Sequence, residues 1–382
     1  MNTSIYSKSH SVQVSILMIT YNHEKYIEQA IQAVLAQKTK FAIELLICND
    51  SSTDQTAEIV GSCIQRNSSL VNIRYEHHHQ NIGMMQNFKT GLELCAGKYI
   101  ALCEGDDYWT DPYKLQKQLD FLEANPTYFL CHHDFVILNE EGKRFLPMVG
   151  EEIPLEYDII KLAEKNIIGT LTVMFRNCIS AMPSWFSDVS SGDYALHLFV
   201  ASHGCIKYIP EVMAVYRKHS NGVTSKFKDI DGSLFLINTL QPIVDAGFIV
   251  NLAAIDNLNL QLIKCYSTVF GFNYLQNNYD IAIKSFNKIA ERKNCFIKLG
   301  SYTKEVLQVY LWAIKIQVLK DDYKTALLTA NDFTNNELQF LLKSYAEQMV
   351  LNRQLKMSIS YRFGNLIVKT IGRILPVSIT NK

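Results

Sequence analysis

Three apolar runs of strand length and a further strand-like segment, each leading into a polar loop, constrain the first hundred residues of this chain more than any other feature. Residues 14–19 (VSILMI) end in Thr20-Tyr21-Asn22, and residues 44–48 (ELLIC) end in a loop from Asn49 and Asp50 to Asp54. Residues 71–75 end in a loop from His77 to Gly83, and residues 99–103 in Glu104-Gly105-Asp106-Asp107. Near-continuous apolar runs are what strands buried on both faces require. The gaps between them carry helical spacing: Ile27, Ala30, Ile31, Val34 and Leu35 in the first, a helix running to Arg66 in the second, and residues 84–96 in the third. Asn22 is expected to cap the first helix and Thr53 or Asp54 the second. Strand, helix, strand, helix with short links is the pattern of a parallel α/β sheet, whose carboxyl-terminal strand ends hold ligands. The ends of strands one, two and four should therefore gather Thr20, Asp50, Glu104, Asp106 and Asp107 on one edge.

Three carboxylates within four residues, Glu104, Asp106 and Asp107, repel one another unless something positive sits among them. Carboxylate oxygens are the ligands that Mg2+ and Mn2+ prefer, so all three are candidate metal ligands. Gly105 is expected to allow a tight turn there, and Tyr108 and Trp109 to add aromatic surface beside the charges. Asp111-Pro112 reads as the cap and first turn of a helix that Pro126 stops. Further on, residues 128–138 and 170–175 (TLTVMF) read as strands, and residues 140–165 as charged and irregular. Ser191-Gly192-Asp193 precedes an apolar helix over 194–201, where Asp193 alone would be read as a helix cap. Two short strands, 206–209 and 213–216, then lead into Arg217-Lys218-His219. His77-His78-His79 reads as a solvated loop, because consecutive side chains diverge and do not easily share one ion.

After about residue 225 strand-like runs disappear, and residues 226–355 read as amphipathic helices. Two of them resemble each other, Tyr279 with Ala282 and Phe286, and Tyr323 with Ala326, Ala330 and Phe333. Residues 356–382 form a basic tail without acids, with Arg362, Lys369 and Arg373 on one helical face and Phe363, Ile367 and Ile374 away from it. That pattern fits a peripheral contact with anionic lipid as well as a helix packed on the helical region. With 37 basic and 37 acidic residues in 382, the chain has no net charge to draw nucleic acid. The nine cysteines form no CxxC pair, which suits packing in a reducing compartment. The polar first residues lack a signal peptide's apolar stretch and no run of eighteen apolar residues occurs, so a cytoplasmic protein is expected, with the tail as its means of reaching a membrane surface. No GxGxxG follows the first strand and no GxxxxGK[ST] occurs, which removes dinucleotide oxidoreductases and P-loop enzymes.

Taken together, VSILMITYNHEKYIEQAIQAVLAQ, ELLICNDSSTDQT, Asn81-Ile82-Gly83 with Asn87 and Gly91, CEGDD, SGDYALHLF and EVMAVYRKHSNGVTS resemble, in order, the family 2 glycosyltransferases. The resemblance covers about residues 12–225 and implies the GT-A nucleotide-sugar fold, an inverting transfer, and a domain over 1–225. CEGDD stands where that family has its DxD motif, with Glu104 in place of the first aspartate. Met85 and Gln86 stand where the third loop often carries small and basic residues. SISYRFGNLIVK is similar to tails of bacterial members. The resemblance makes Asp50 the base-binding aspartate, puts the catalytic base on Asp193, and turns Arg217 and His219 towards a diphosphate. Thr20, Tyr21 and Asn22 would flank the base of a donor, expected to be a UDP-sugar, and Glu104 and Asp106 would meet it through Mg2+ or Mn2+. Tyr108 and Trp109 would lie on the acceptor side, facing a glycan or lipid-linked hydroxyl. A non-catalytic nucleotide-sugar-binding scaffold would not need Asp106, Asp107 and Asp193 together. A nucleotidyltransferase would carry a Gly-rich basic loop where this chain has TYNHEKY.

Overall fold

The computed structural model describes residues 12–69, 71–147, 152–292, 309–313, 316–317, 325 and 346–347. It divides into two compact units, Met1–Gln261 and Leu262–Lys382, with the division inside a long helix. The first half of unit one alternates as the apolar runs require: β1 (Val14–Thr20), α1 (Ile27–Leu35), β2 (Ile43–Asn49), α2 (Thr56–Arg66), β3 (Asn72–His77), α3 (Met84–Leu94) and β4 (Tyr99–Leu102). Then come β5 (Tyr108–Trp109), α4 (Lys114–Ala124), β6 (Tyr128–Asn139), β7 (Arg144–Phe145), β8 (Glu156–Tyr157), α5 (Ile159–Leu162), β9 (Met174–Arg176), α6 (Gly192–Ala201), β10 (Cys205–Lys218), α7 (Asp231–Ala246) and α8 (Leu252–Leu275).

All ten strands form one sheet in the order β3-β2-β1-β4-β9-β6-β10-β5, with β7 beside β6 and β8 beside β10. β1, β2, β3 and β4 are parallel, β6 and β10 are parallel, and β9 runs against both β4 and β6. β1 and β2 are buried almost throughout, with Ile16, Met18, Leu45 and Ile47 fully so. Each such side chain removed from water favours the fold by roughly 1.5–3 kcal/mol. Chain order reverses at β1, which has β2 on one side and β4 on the other, and a crevice opens at such a reversal. This is the GT-A architecture: a mainly parallel mixed sheet flanked by helices, followed in the chain by a region whose described residues are helical.

Several local expectations change. The segment 170–175 is a single strand only from Met174. Thr170–Thr172 forms a 3-10 turn, closed by Thr172 donating from both N–H and Oγ1 to the Gly169 carbonyl. The two strands expected at 206–209 and 213–216 are one strand, β10, with register shifts between Ile209 and Ala214, where Pro210 cannot donate to the ladder. Unit one also takes in α7 and the start of α8. Gln261 donates to Tyr194 and to the Ala163 carbonyl, and Thr239 Oγ1 accepts from the Ser191 N–H.

In unit two, α9 (Tyr279–Ala290) buries Ala282 and Phe286. Trp312 stacks on Tyr274 at 4.7 Å. The second half of the helical resemblance, from Tyr323 to Phe333, and the basic tail 356–382 lie outside the described residues. No helix among the described residues is long and apolar enough to cross a membrane.

Candidate active site

A cleft of about 550 Å³ opens at the ends of β1, β2 and β4. Its walls include Thr20, Tyr21, Asn22, Asp50, Glu104, Asp106 and His219, seven of the side chains expected there, brought together from four separate loops. His23, Asn81, Met84, Asn87, Asn221, Gly222, Val223 and Lys226 complete it with Ile19.

Asn22 does not cap α1. Its backbone is left-handed, at φ 57°, a conformation Asn tolerates, and its side-chain oxygen accepts from the N–H of Thr53 at 2.8 Å. The neighbouring bonds are reciprocal: Asn22 N–H to Ser52 Oγ, Glu24 N–H to Asp54, Gln55 N–H to Glu24. The polar groups expected to cap helices instead stitch the loop after β1 to the loop after β2. Only Asp54 also reaches its helix, accepting from the Thr56 N–H. Asp50 is similarly committed, its carboxylate accepting from the N–H groups of Ile82 at 2.7 Å and Gly83 at 3.0 Å. It fixes the 81–83 loop against the cleft while still lining it.

The acidic cluster splits. Asp106 faces the cleft between two imidazoles, with His219 Nε2 at 3.0 Å and His23 Nε2 at 3.8 Å. Burial alone would raise its carboxyl, but the His219 hydrogen bond and the charges of His23 and His219 outweigh this and hold it below its ordinary value. Burial in turn keeps His23 below its ordinary value, against the pull of Asp106. Glu104 shares the cleft without a hydrogen-bond donor on its carboxylate among the described residues. Burial first, then the charges of Asp106 and Asp193, push it up to about 8.

Asp107 points the other way. It is fully buried, lies off the cleft wall, and accepts from the Arg217 N–H at 2.8 Å. Burial, Asp106 and Glu104 hold its carboxyl well above its ordinary value. As a metal ligand it is therefore misplaced, because consecutive residues leaving a strand alternate faces. Gly105 has no positive φ. Its requirement is close approach, since a Cβ there would fall 2.8 Å from Thr20 Oγ1 and 2.9 Å from His23 Nδ1.

Arg217 also differs from expectation. Its guanidinium donates to the Asp106 carbonyl and to Gln29 Oε1, and lies over the rings of Tyr108 at 4.4 Å and Tyr26 at 5.1 Å. It braces the acidic turn from behind and is absent from the cleft wall. Tyr108 and Trp109, expected on the acceptor side, are both buried as the short strand β5 against β10. Trp109 Nε1 donates to the Leu171 carbonyl at 2.9 Å and its ring lies under Lys114 Nζ at 4.1 Å, so this tryptophan is part of the core.

Asp193 is the second residue of α6, after Ser191 at the cap position. Its Oδ2 accepts from Thr170 Oγ1 at 2.9 Å and its Oδ1 from Ser191 Oγ at 2.5 Å and from the Tyr194 N–H at 2.7 Å. It is off the wall of the cleft, but close enough to Glu104 for its charge to raise that carboxyl. Gly192 makes this approach possible, since a Cβ there would fall within 2.8–3.0 Å of Phe88 and Met85.

A divalent cation suits this donor set. Asp106 and Glu104 offer hard oxygens in one cleft, and Thr20 Oγ1 and His23 Nδ1 are buried beside them without hydrogen-bond partners. Among the described residues no three His, Cys, Asp or Glu side chains are gathered as a ready-made metal site. Asp106 and Glu104 could hold such an ion as two carboxylate ligands, with substrate phosphates completing its shell.

Sequence reasoning missed His23, which sits in the TYNHE tract as the first loop residue to turn back on Asp106. It also missed Lys226, one residue beyond the expected boundary.

Residues 15–179 match the family model described as glycosyl transferase family 2. An uncharacterized protein of Mycobacterium tuberculosis is 38% identical over 217 residues, 55% of this chain and 60% of the relative, so the match spans less than two thirds of that protein. The Escherichia coli UDP-Glc:alpha-D-GlcNAc-diphosphoundecaprenol beta-1,3-glucosyltransferase WfaP is 28% identical over 224 residues, 57% of this chain and 82% of that one. Among solved structures, Staphylococcus aureus TarS 1–349 in complex with UDP-GlcNAc is similar in fold, with a TM-score of 0.53 at 14% identity over 91% of this chain and 93% of that one. The ordered strand-end loops, the sheet they rest on and these matches agree: residues 15–179 carry a domain that matches glycosyl transferase family 2, on a fold shared with solved glycosyltransferases.

Proposed function

We propose that the chain transfers a sugar, with inversion, from a UDP-sugar to a hydroxyl of a glycan or lipid-linked acceptor in cell-surface polysaccharide synthesis. The observation that carries the reading is the meeting of Asp50, Glu104 and Asp106 in one cleft at the β1/β4 reversal, with Asp193 beside Glu104. The Escherichia coli relative's donor and its diphosphoundecaprenol acceptor support UDP and a lipid-linked hydroxyl as the first substrates to try.

Thr20, Tyr21 and Asn22 would flank the base, with Asn81 and the Asp50 loop closing that end. Asp106 and Glu104 would hold a Mg2+ or Mn2+ ion, which supplies positive charge to the leaving diphosphate. His219, donating to Asp106, orients that carboxylate, and Arg217 fixes the turn that carries it. Asp193 takes the proton of the acceptor hydroxyl as its oxygen attacks the anomeric carbon from the face opposite the diphosphate, so a single displacement inverts that centre. Thr170 and Ser191 hold the carboxylate for this role. The tail 356–382 would bring the enzyme to a membrane surface, which sedimentation with anionic liposomes with and without those residues tests.

The test of the function is a thermal-shift screen of nucleotide sugars with Mn2+, followed by determination of the anomeric configuration of the product. Stabilisation by one UDP-sugar and an inverted product are expected. Binding without turnover over any acceptor would favour a nucleotide-sugar-binding scaffold, and a retained configuration would exclude the single displacement.

A further inference from the structure

The cleft walls carry three carboxylates, Asp50, Glu104 and Asp106, and a nucleotide diphosphate brings at least two further negative charges. One divalent ion does not balance that sum. Arg217, the cation nearest the acidic turn, is already committed to the Asp106 carbonyl and Gln29 and is absent from the wall. Among the described wall residues Lys226 is the one lysine or arginine. It ends the short 3-10 turn Val223–Lys226, is exposed, and its ammonium has no ion pair among the described residues.

The turn that carries it is anchored to the site. Ser225 Oγ donates to the His219 carbonyl at 2.6 Å, and the Gly222 N–H donates to the same carbonyl at 3.0 Å. A Cβ on Gly222 would fall 3.1 Å from Ser225 Oγ and 3.2 Å from the His219 carbonyl, so the loop is packed closely against the residue that orients Asp106. Lys228, two residues on, is exposed too but lies off the wall.

We infer that Lys226 is a donor-binding residue that pairs with the diphosphate of the nucleotide sugar, supplying the monovalent charge that the buried Arg217 does not. The inference rests on the donor-cleft reading above. Lys226 gives an ammonium on a flexible stem that reaches a phosphate as a point charge, without demanding the fixed fork of a guanidinium. Its contribution therefore grows with the number of phosphates and is absent for the nucleoside.

The experiment is calorimetric titration of the full chain, with Mn2+, by uridine, UMP and UDP, with GDP and dTDP as alternatives to UDP. Wild type, Lys226→Met, Lys226→Arg and Lys228→Met are compared after their unfolding midpoints are shown to match. A charged hydrogen bond of this kind corresponds to a loss of about tenfold or more in diphosphate affinity for Lys226→Met. Uridine binding should be unchanged, Lys226→Arg should recover most of the loss, and Lys228→Met should match wild type. Lys226→Met binding UDP as tightly as wild type, or losing uridine as much as UDP, overturns the inference. Failure of wild type to bind UDP, GDP or dTDP overturns the donor-cleft reading itself, and the inference falls with it.

Discussion

The two halves of the sheet deliver their polar groups in different ways. In the parallel half, β3-β2-β1-β4, the three inner strands β2, β1 and β4 are buried apolar runs that lead directly into the cleft: Thr20 at the end of β1, Asp50 after β2, Glu104 and Asp106 after β4. In the mixed half, β9-β6-β10-β5, the polar groups act at one remove. Arg217 braces the acidic turn, Asp107 holds the Arg217 backbone and Trp109 ties β5 to the Leu171 carbonyl, while His219 just after β10, which lines the cleft, and Asp193, on a helix, are the exceptions. A parallel strand end places a side chain by its register alone. An interior brace depends on partners far away in sequence, and it contributes to geometry without contacting substrate.

The largest expected effect separates neighbours that face the two halves. Asp106→Ala should reduce transfer to background with the unfolding midpoint nearly unchanged. Asp107→Asn keeps an oxygen to accept from the Arg217 N–H and should leave transfer within a few-fold of wild type. Equal losses in both variants, measured as initial rates, would merge the two roles and break the comparison.

Next in size is Asp193→Asn, which keeps the shape and accepting oxygen but cannot take a proton. Transfer should fall by at least about a hundredfold while donor affinity holds, the lower end of what a general base contributes. Near-normal transfer would move the base elsewhere. Trp109→Phe tests the core side, because it leaves the Leu171 carbonyl without its donor. Denaturant titration should show a stability loss of about 1–3 kcal/mol. The rate per folded enzyme should stay the same, and a selective loss of acceptor affinity would restore Trp109 to the acceptor side.

The smallest effect is a pH slope. Lys114 is fully buried beside Trp109, donates to Gln118 at 2.7 Å, and burial draws its amine down to about 7 from an ordinary 10.5. Between those values the unfolded chain holds a proton that the folded chain does not, so stability rises with pH across that window. Unfolding midpoints measured at intervals from pH 7 to 10 should climb less steeply for Lys114→Met than for wild type. Parallel slopes would show that this lysine keeps its proton inside the core.

How much of this was legible in the sequence follows the same division. Strands β1, β2 and β4 of the parallel half could be read because double burial leaves apolar runs, and seven of the eight residues expected to bind donor do line one cleft. Arg217, the eighth, and Asp107, Tyr108 and Trp109 were read by residue type and family order, which do not say which face of a strand they leave. The caps expected at Asn22 and Thr53 were misread because a polar side chain before a helix serves a loop-to-loop bond as readily as a helix end. His23 and Lys226 were missed because a lone histidine and a surface lysine carry no pattern until the chain folds them towards Asp106 and the cleft.

The central claim is that the β1/β4 cleft holds a nucleotide diphosphate through a divalent ion on Asp106. It is tested most directly by titrating UDP, with GDP and dTDP alongside, into the wild-type protein with Mn2+ and again in excess chelator, and into Asp106→Ala with Mn2+. Saturable binding with the metal, lost in chelator and in Asp106→Ala, is the predicted result, and equal affinity under all three conditions would contradict it.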